Sequence, residues 1–171
     1  GDDTITNNNW FDGGVSLGDG KNSLVNTKHI GESATELSYS GGENNDTVNN
    51  SGEMSGGVAL GDAVDLPGLP VVPGQNLLTN SGQIYGDVAG GAHKDVIDNK
   101  ASGIIGGSVS LFDGANTVTN AGRLAGDLTT GDDGDTIKNT SGTIMGAVSL
   151  GGGADTFTNT GSVNGIIDLG A

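Results

Sequence analysis

The sequence predicts an all-β chain: a parallel β-solenoid (β-helix) of about eight turns, each of roughly 20 residues with three short strands. Two observations predict it. The first is a phrase that returns eight times: a carboxylate or amide, any residue, an apolar residue, any residue, then Asn. It reads DTITN at Asp3, NSLVN at Asn22, DTVNN at Asp46, NLLTN at Asn76, DVIDN at Asp95, NTVTN at Asn116, DTIKN at Asp135 and DTFTN at Asp155. The second is that apolar residues alternate with polar ones at period two, with no sustained helical period.

The first strand of each turn is the phrase itself. Its centre supplies an inward column: Ile5, Leu24, Val48, Leu78, Ile97, Val118, Ile137 and Phe157. Eight positions after the phrase opens, with a one-residue shift in two repeats, a second column follows: Phe11, Ile30, Met54, Ile84, Ile104, Leu124, Ile144 and Val163. A third stretch pairs Val15 with Leu17, Val58 with Leu60, Val109 with Leu111, Val148 with Leu150, and Ile167 with Leu169. Gly and Asn mark the corners. Stacking at about 4.8 Å per turn makes a rod of about 40 Å, in which each turn depends on its neighbours to bury its apolar face.

The closing Asn of every phrase (Asn7, Asn26, Asn50, Asn80, Asn99, Asn120, Asn139 and Asn159) is read as a structural ladder. Two reasons favour Asn there: tolerance of left-handed backbone at a corner, and amide-to-amide hydrogen bonds between turns. The whole of 1–171 reads as one solenoid domain with loop insertions at about 32–45 and 62–75. The second insertion holds all three prolines, and proline cannot donate to a ladder, so this segment leaves the sheet. Leu66, Pro67, Leu69, Pro70, Val71, Val72 and Pro73 form its candidate contact loop.

Composition narrows the partners. The chain of 171 residues carries 21 Asp and Glu against six Lys and Arg, a net charge of −15, which disfavours nucleic acid and anionic membranes. No apolar run approaches a transmembrane span. There is no Cys, which excludes disulfides and thiolate chemistry and suits a secreted bacterial protein. His29 and His93 lie in different turns and read as surface residues. Arg123 is the only Arg and the lysines are scattered, a poor set for an enzyme acting on acidic polysaccharide. Thr pairs such as Thr4 with Thr6 and Thr156 with Thr158 suggest an ice- or crystal-binding face, but Leu77, Val96, Asp98 and Lys138 interrupt it.

The two ends share one phase of the repeat. Joining Leu169-Gly170-Ala171 to Gly1-Asp2-Asp3-Thr4-Ile5 gives LGAGDDTITN, matching the internal LGGGADTFTN at Leu150. Two explanations fit. The chain is a segment of a longer array, or its ends stack head to tail through Gly1, Asp2, Asp3, Thr4 and Ile5 against Ile167, Leu169 and Ala171, extending an open filament.

The acidic Gly-rich corners, GDGKN at Gly18, TGDDGD at Thr130 and GGGAD at Gly151, resemble part of the calcium-binding repeat of the repeats-in-toxin family. That resemblance implies Ca²⁺ ligands at Asp155 and Asp135, with Asp133 beside them. The opening column itself, Asp3, Asn22, Asp46, Asn76, Asp95, Asn116, Asp135 and Asp155, alternates through seven turns. Stacked carboxylates about 5 Å apart repel by about 1–3 kcal/mol, and interposed Asn relieves this with no cofactor. The phrases N-[ST]-G-x-[IL]-x-G and V-x-L-G-x-G-x-[DN]-T are similar to repeats of secreted bacterial autotransporter passengers and large adhesins. This second resemblance implies a secreted or surface-displayed, non-catalytic stalk, adhesin or fibre, partnered by itself, by the remainder of a longer solenoid or by a host or matrix surface ligand.

Overall fold

The computed structural model describes residues 1–61 and 75–170, and in them the chain is all β: three parallel sheets of eight strands each. Every turn contributes one strand to each sheet, and strand order in each sheet follows sequence order. The first turn comprises Thr4–Asn7, Trp10–Phe11 and Val15–Gly18; the last comprises Thr156–Asn159, Ser162–Val163 and Ile167–Asp168.

The first inward column is in register as the sequence predicts, from Ile5 through Leu24, Val48, Leu78, Ile97, Val118 and Ile137 to Phe157. The six central members are fully buried, each contributing about 1.5–3 kcal/mol of transfer free energy. The outward residues on either side follow the pleat. Leu77 and Val96 thus share a column with Thr4 and Thr117, and Asp98 and Lys138 share one with Thr6 and Thr119.

The second column differs at one place. Ile105, not Ile104, pairs with Ile84 and Leu124 and is fully buried; Ile104 pairs with Gln83 and Arg123 on the outward side. Ile105 follows Asn99 by six residues whereas Ile84 follows Asn80 by four. The two extra residues are taken up in a turn at 100–103, closed by the Gly103 N–H on the Lys100 carbonyl at 2.8 Å.

The third sheet corrects the first insertion. Within 32–45 lies strand Leu37–Gly41, and its Tyr39 sits fully buried between Val15 and Val58. Tyr39 follows Ile30 by nine residues, where Val15 follows Phe11 by four. The extra length is therefore confined to the stretch before residue 37. Ser38 pins that stretch: its buried hydroxyl donates to the Ile30 carbonyl at 3.1 Å and accepts the Gly56 N–H at 2.8 Å. The second insertion, with the contact loop from Leu66 to Pro73, lies outside the described residues; strand Gln75–Asn80 follows it in register.

The core is one apolar cluster running through all eight turns. Leu78→Ala should lower the unfolding free energy by about 2–5 kcal/mol, because neighbouring turns cannot collapse into the cavity. Truncating the half-buried terminal Ile5 should cost visibly less, and urea unfolding of the two variants measures the difference.

Candidate functional site

Two polar ladders run inside the solenoid, one on each side of the first sheet. The Asn ladder is continuous. From Asn7 to Asn159 each Nδ2 donates to the Oδ1 of the Asn one turn on, seven bonds of 2.8–2.9 Å. The orientation is forced. In nearly every turn the same Nδ2 also faces a backbone carbonyl, such as His29, Glu53, Gln83, Ile104, Arg123 or Ser162, and a carbonyl can only accept. All seven amides therefore point the same way along the axis. The backbone of these Asn residues is not left-handed; among the described non-Gly residues, positive φ occurs only at Asn44 and Phe112. Asn is needed for its amide, which donates and accepts at once, and not for its backbone tolerance.

The Asp/Asn column works differently. Here a backbone N–H donates to the side-chain Oδ1 of the next turn: Asp3 to Asn22, Asn22 to Asp46, Asp46 to Asn76, Asp95 to Asn116, Asn116 to Asp135, and Asp135 to Asp155, at 2.7–3.1 Å. Asp and Asn serve equally, since both carry Oδ1. The other side-chain atom decides which is used. Asn22 Nδ2 donates to the Gly18 carbonyl, Asn76 Nδ2 to Gly61 and Asn116 Nδ2 to Phe112. Those three corner residues all have positive φ, of 66, 88 and 56°. Asp46 and Asp95 instead accept with Oδ2 from the N–H of Gly42 and Gly91.

A packing difference accompanies each type. A Cβ on Gly41 would lie 2.1 Å from Asp46 Oδ2, and one on Gly90 would lie 1.9 Å from Asp95 Oδ2. Where Asn follows, Leu17, Leu60 and Leu111 stand at the position that Gly41 and Gly90 occupy in the other turns. The structural repeat is thus two turns, a Leu corner followed by Asn and a small corner followed by Asp.

Asp155 breaks this rule. It follows Leu150 and a left-handed Gly151 of φ +74°, the corner that elsewhere meets Asn. Its Oδ2 is buried with no hydrogen-bond partner, as is Oδ2 of Asp135. Beside Asp135, the Thr130 hydroxyl is committed to the Leu150 carbonyl at 3.1 Å. Burial pushes the Asp135 carboxyl above the usual range, against the Asn116 N–H donated to its Oδ1, and the Asp155 charge raises it further. Burial likewise raises Asp46, opposed by the N–H groups of Asn22 and Gly42. Asp133 is exposed and accepts the Gly114 N–H at 2.9 Å. Among the described residues, no group of three or more His, Cys, Asp or Glu is placed to hold a metal ion.

The predicted end residues divide between two faces. Gly1, Asp2, Asp3 and Thr4 are exposed and Ile5 is half-buried at one end; Ile167 and Leu169 are exposed at the other, and Ala171 lies outside the described residues. Sequence reasoning missed a feature of the first face. Trp10 is 67% exposed yet stacks on His29, with ring centroids 3.8 Å apart and planes 13° from parallel. His29 is buried rather than superficial: Nε2 donates to the Gly31 carbonyl at 2.6 Å, and Nδ1 lies 3.5 Å from Glu53 Oε1. Trp10, His29, Lys28, Glu53, Gln83 and Ser102 line an open groove of about 520 Å³ along the corner between the first two sheets. The single Trp and the outward register of Trp10, His29, Glu53 and Gln83 were the available signal.

No family model matches the chain, and no curated protein or solved structure is found similar to it.

Asn99→Ala should destabilise by about 3 kcal/mol or more, because it strips partners from Asn120 Oδ1 and from the Gly103 and Arg123 carbonyls. Asn159→Ala, at the exposed end of the same ladder, should cost under about 1 kcal/mol. One substitution should have opposite signs in two turns. Asp155→Asn gives the Gly151 corner a donor and raises the thermal midpoint, whereas Asp46→Asn sets Nδ2 against the Gly42 N–H and lowers it. Because Asp46 and Asp135 bind protons more tightly when folded, stability should fall as pH rises from the ordinary Asp value near 3.9 through their raised values. Denaturant midpoints measured from pH 4 to 7 should show this slope, flattened in Asp135→Asn.

Proposed function

We propose that this chain is a non-catalytic structural protein of an extracellular bacterial surface structure, a rigid solenoid that extends a fibre or adhesin. One observation carries the reading: a single core and two polar ladders join turn to turn along the axis, the second bridged at Asn76 by its Nδ2 donating to Asp95 Oδ1. The buried carboxylates of Asp46 and Asp95 are occupied as acceptors for backbone N–H groups, a scaffold duty. The net charge of −15 keeps such a rod soluble and apart from its neighbours. A host or matrix surface ligand is the partner an adhesin would take, and the groove beside Trp10 is a concave surface available to it.

A spacer has a length that can be changed. Duplicating residues 95–134, two whole turns that preserve the Asp/Asn alternation, should lengthen the rod by about 10 Å with cooperative unfolding intact. Small-angle scattering reads the length. Loss of folding, or release of sugar ends from acidic polysaccharide by the purified chain, would sink the structural reading.

A second reading, a calcium-binding adhesin fragment, has one observation in its favour: the two buried, unpartnered Oδ2 atoms of Asp135 and Asp155. Carboxylate oxygens are the ligands calcium prefers. On this reading calcium raises the thermal midpoint over a chelator control, and Asp155→Asn abolishes the response; equal midpoints in the wild-type chain would discard it.

A further inference from the structure

We infer that the groove along the corner between the first two sheets binds a neutral, hydroxyl-rich oligosaccharide lying parallel to the solenoid axis. The inference rests on the adhesin reading and names the chemical class of its ligand. The groove crosses the flank of five turns, from Trp10 to Ser102, a length of about 19 Å at about 4.8 Å per turn. Its volume of about 520 Å³ suits a small-molecule site. Because it lies on the flank, further turns stacked beyond Trp10 would leave its floor uncovered.

The sequence builds this groove from a bare floor and two unequal rims. Glycine keeps the floor bare: a Cβ on Gly52 would lie 2.1 Å from the Lys28 carbonyl oxygen, and one on Gly82 would lie 2.0 Å from that of Gly52. One rim is the outward column of the second sheet, Trp10, His29, Glu53 and Gln83, in register one turn apart. The rim toward the first sheet carries only the short side chains of Thr27, Ser51 and Ser81. The turn at 100–103, with its two extra residues, brings Ser102 to the far end.

The polarity of the lining selects the ligand. The hydroxyls of Thr27, Ser51, Ser81 and Ser102 donate to the backbone carbonyls of Asn7, Asn26, Asn50 and Ser81, at 2.7–3.4 Å. Their remaining lone pairs, with the Glu53 carboxylate, therefore offer acceptors to whatever lies in the groove. The Tyr85 hydroxyl donates to Gln83 Oε1 at 2.6 Å, which leaves Gln83 Nε2 a donor with no acceptor among the described residues. The Trp10 indole N–H is spent on Asp12, so Trp10 gives the groove carbon. A sugar matches this set. Each of its hydroxyls donates and accepts, and its C–H faces pack on apolar ring surface by dispersion. Lys28 and Glu53 place one charge of each sign in the groove, which favours a neutral ligand over a polyanion or a polycation. The net charge of −15 further repels acidic sugars. Acceptors that recur at nearly every turn suit a polymer whose units are about 5 Å long, one turn's rise.

Trp10 is the only Trp of the chain, so its emission reports on this groove alone. Neutral tetrasaccharides of glucose, galactose, mannose and N-acetylglucosamine are the probes, titrated against the whole chain and repeated by calorimetry. At least one should give a saturable change in Trp10 emission, with its disaccharide bound more weakly. Gln83→Ala, at an exposed position, should weaken that binding about tenfold. Ser81→Phe, which fills the floor, should abolish it, and circular dichroism confirms that both variants are folded; should Ser81→Phe not be, Gln83→Ala decides. Arg123→Ala, on the same outward column beyond the groove, should bind as the unmodified chain does. Absence of saturable binding by all four sugars, undiminished binding by Gln83→Ala, or tighter binding of oligolysine than of any sugar would each overturn the proposal. The length increment from duplicating 95–134 would still decide the rod reading separately.

Discussion

Everything in this molecule depends on a row of primary amides buried in its interior. A carboxamide donates from its nitrogen and accepts at its oxygen, so it can be both a link to the next turn and a receiver from the last. Seven such links in one direction satisfy polar groups that burial would otherwise leave orphaned. They hold the first sheet in register, because a slip of one residue would put an outward-facing residue such as Thr79, Asp98 or Lys138 where each amide is needed. In low-dielectric surroundings, aligned hydrogen bonds of this kind polarise one another and act as a unit. The apolar columns supply the driving force, and the amides make one register the only good one.

The second ladder obeys a different rule because its donors belong to the backbone. An acceptor oxygen is all that the preceding turn requires, and either Asp or Asn supplies it. The choice falls to the corner four residues before: a left-handed corner turns a carbonyl inward and calls for Asn, while the other kind turns an N–H inward and calls for Asp. The corner also sets packing, since Gly41 and Gly90 leave room for a carboxylate that any Cβ would displace. Charge relief between stacked carboxylates and local hydrogen-bond matching therefore point to the same alternation. Asp155 departs from it and its Oδ2 is buried without a partner, as is that of Asp135, where Thr130 stands in place of the Gly of the other Asp corners.

Much of this was legible in the residues. The closing Asn and the central apolar residue of each phrase mark the first sheet without ambiguity, since both recur at every turn. The second sheet was legible except at Ile105, where an adjacent isoleucine offered the same chemistry one position early and only the turn at 100–103 shows which one enters the core. Strand Leu37–Gly41 was hidden because Tyr39 replaces the Val of other turns and Gly41 the Leu. The site was less legible than the fold. Neither the stacking of His29 under Trp10 nor the direction of the amide ladder has a local signal, because each arises between residues about 20 positions apart.

By itself the sequence determined the architecture: the period, the three strands in each turn, the buried columns and the Asn row, all of which follow from repeated local chemistry. Only the tertiary structure decided how those rows are wired. Whether an Asn bends a corner or bridges two turns, and whether an Asp faces a carbonyl or an N–H, depends on what the neighbouring turn presents. The same is true of the direction of the amide row: every link along the axis points the same way, a property of the stack that no single repeat contains.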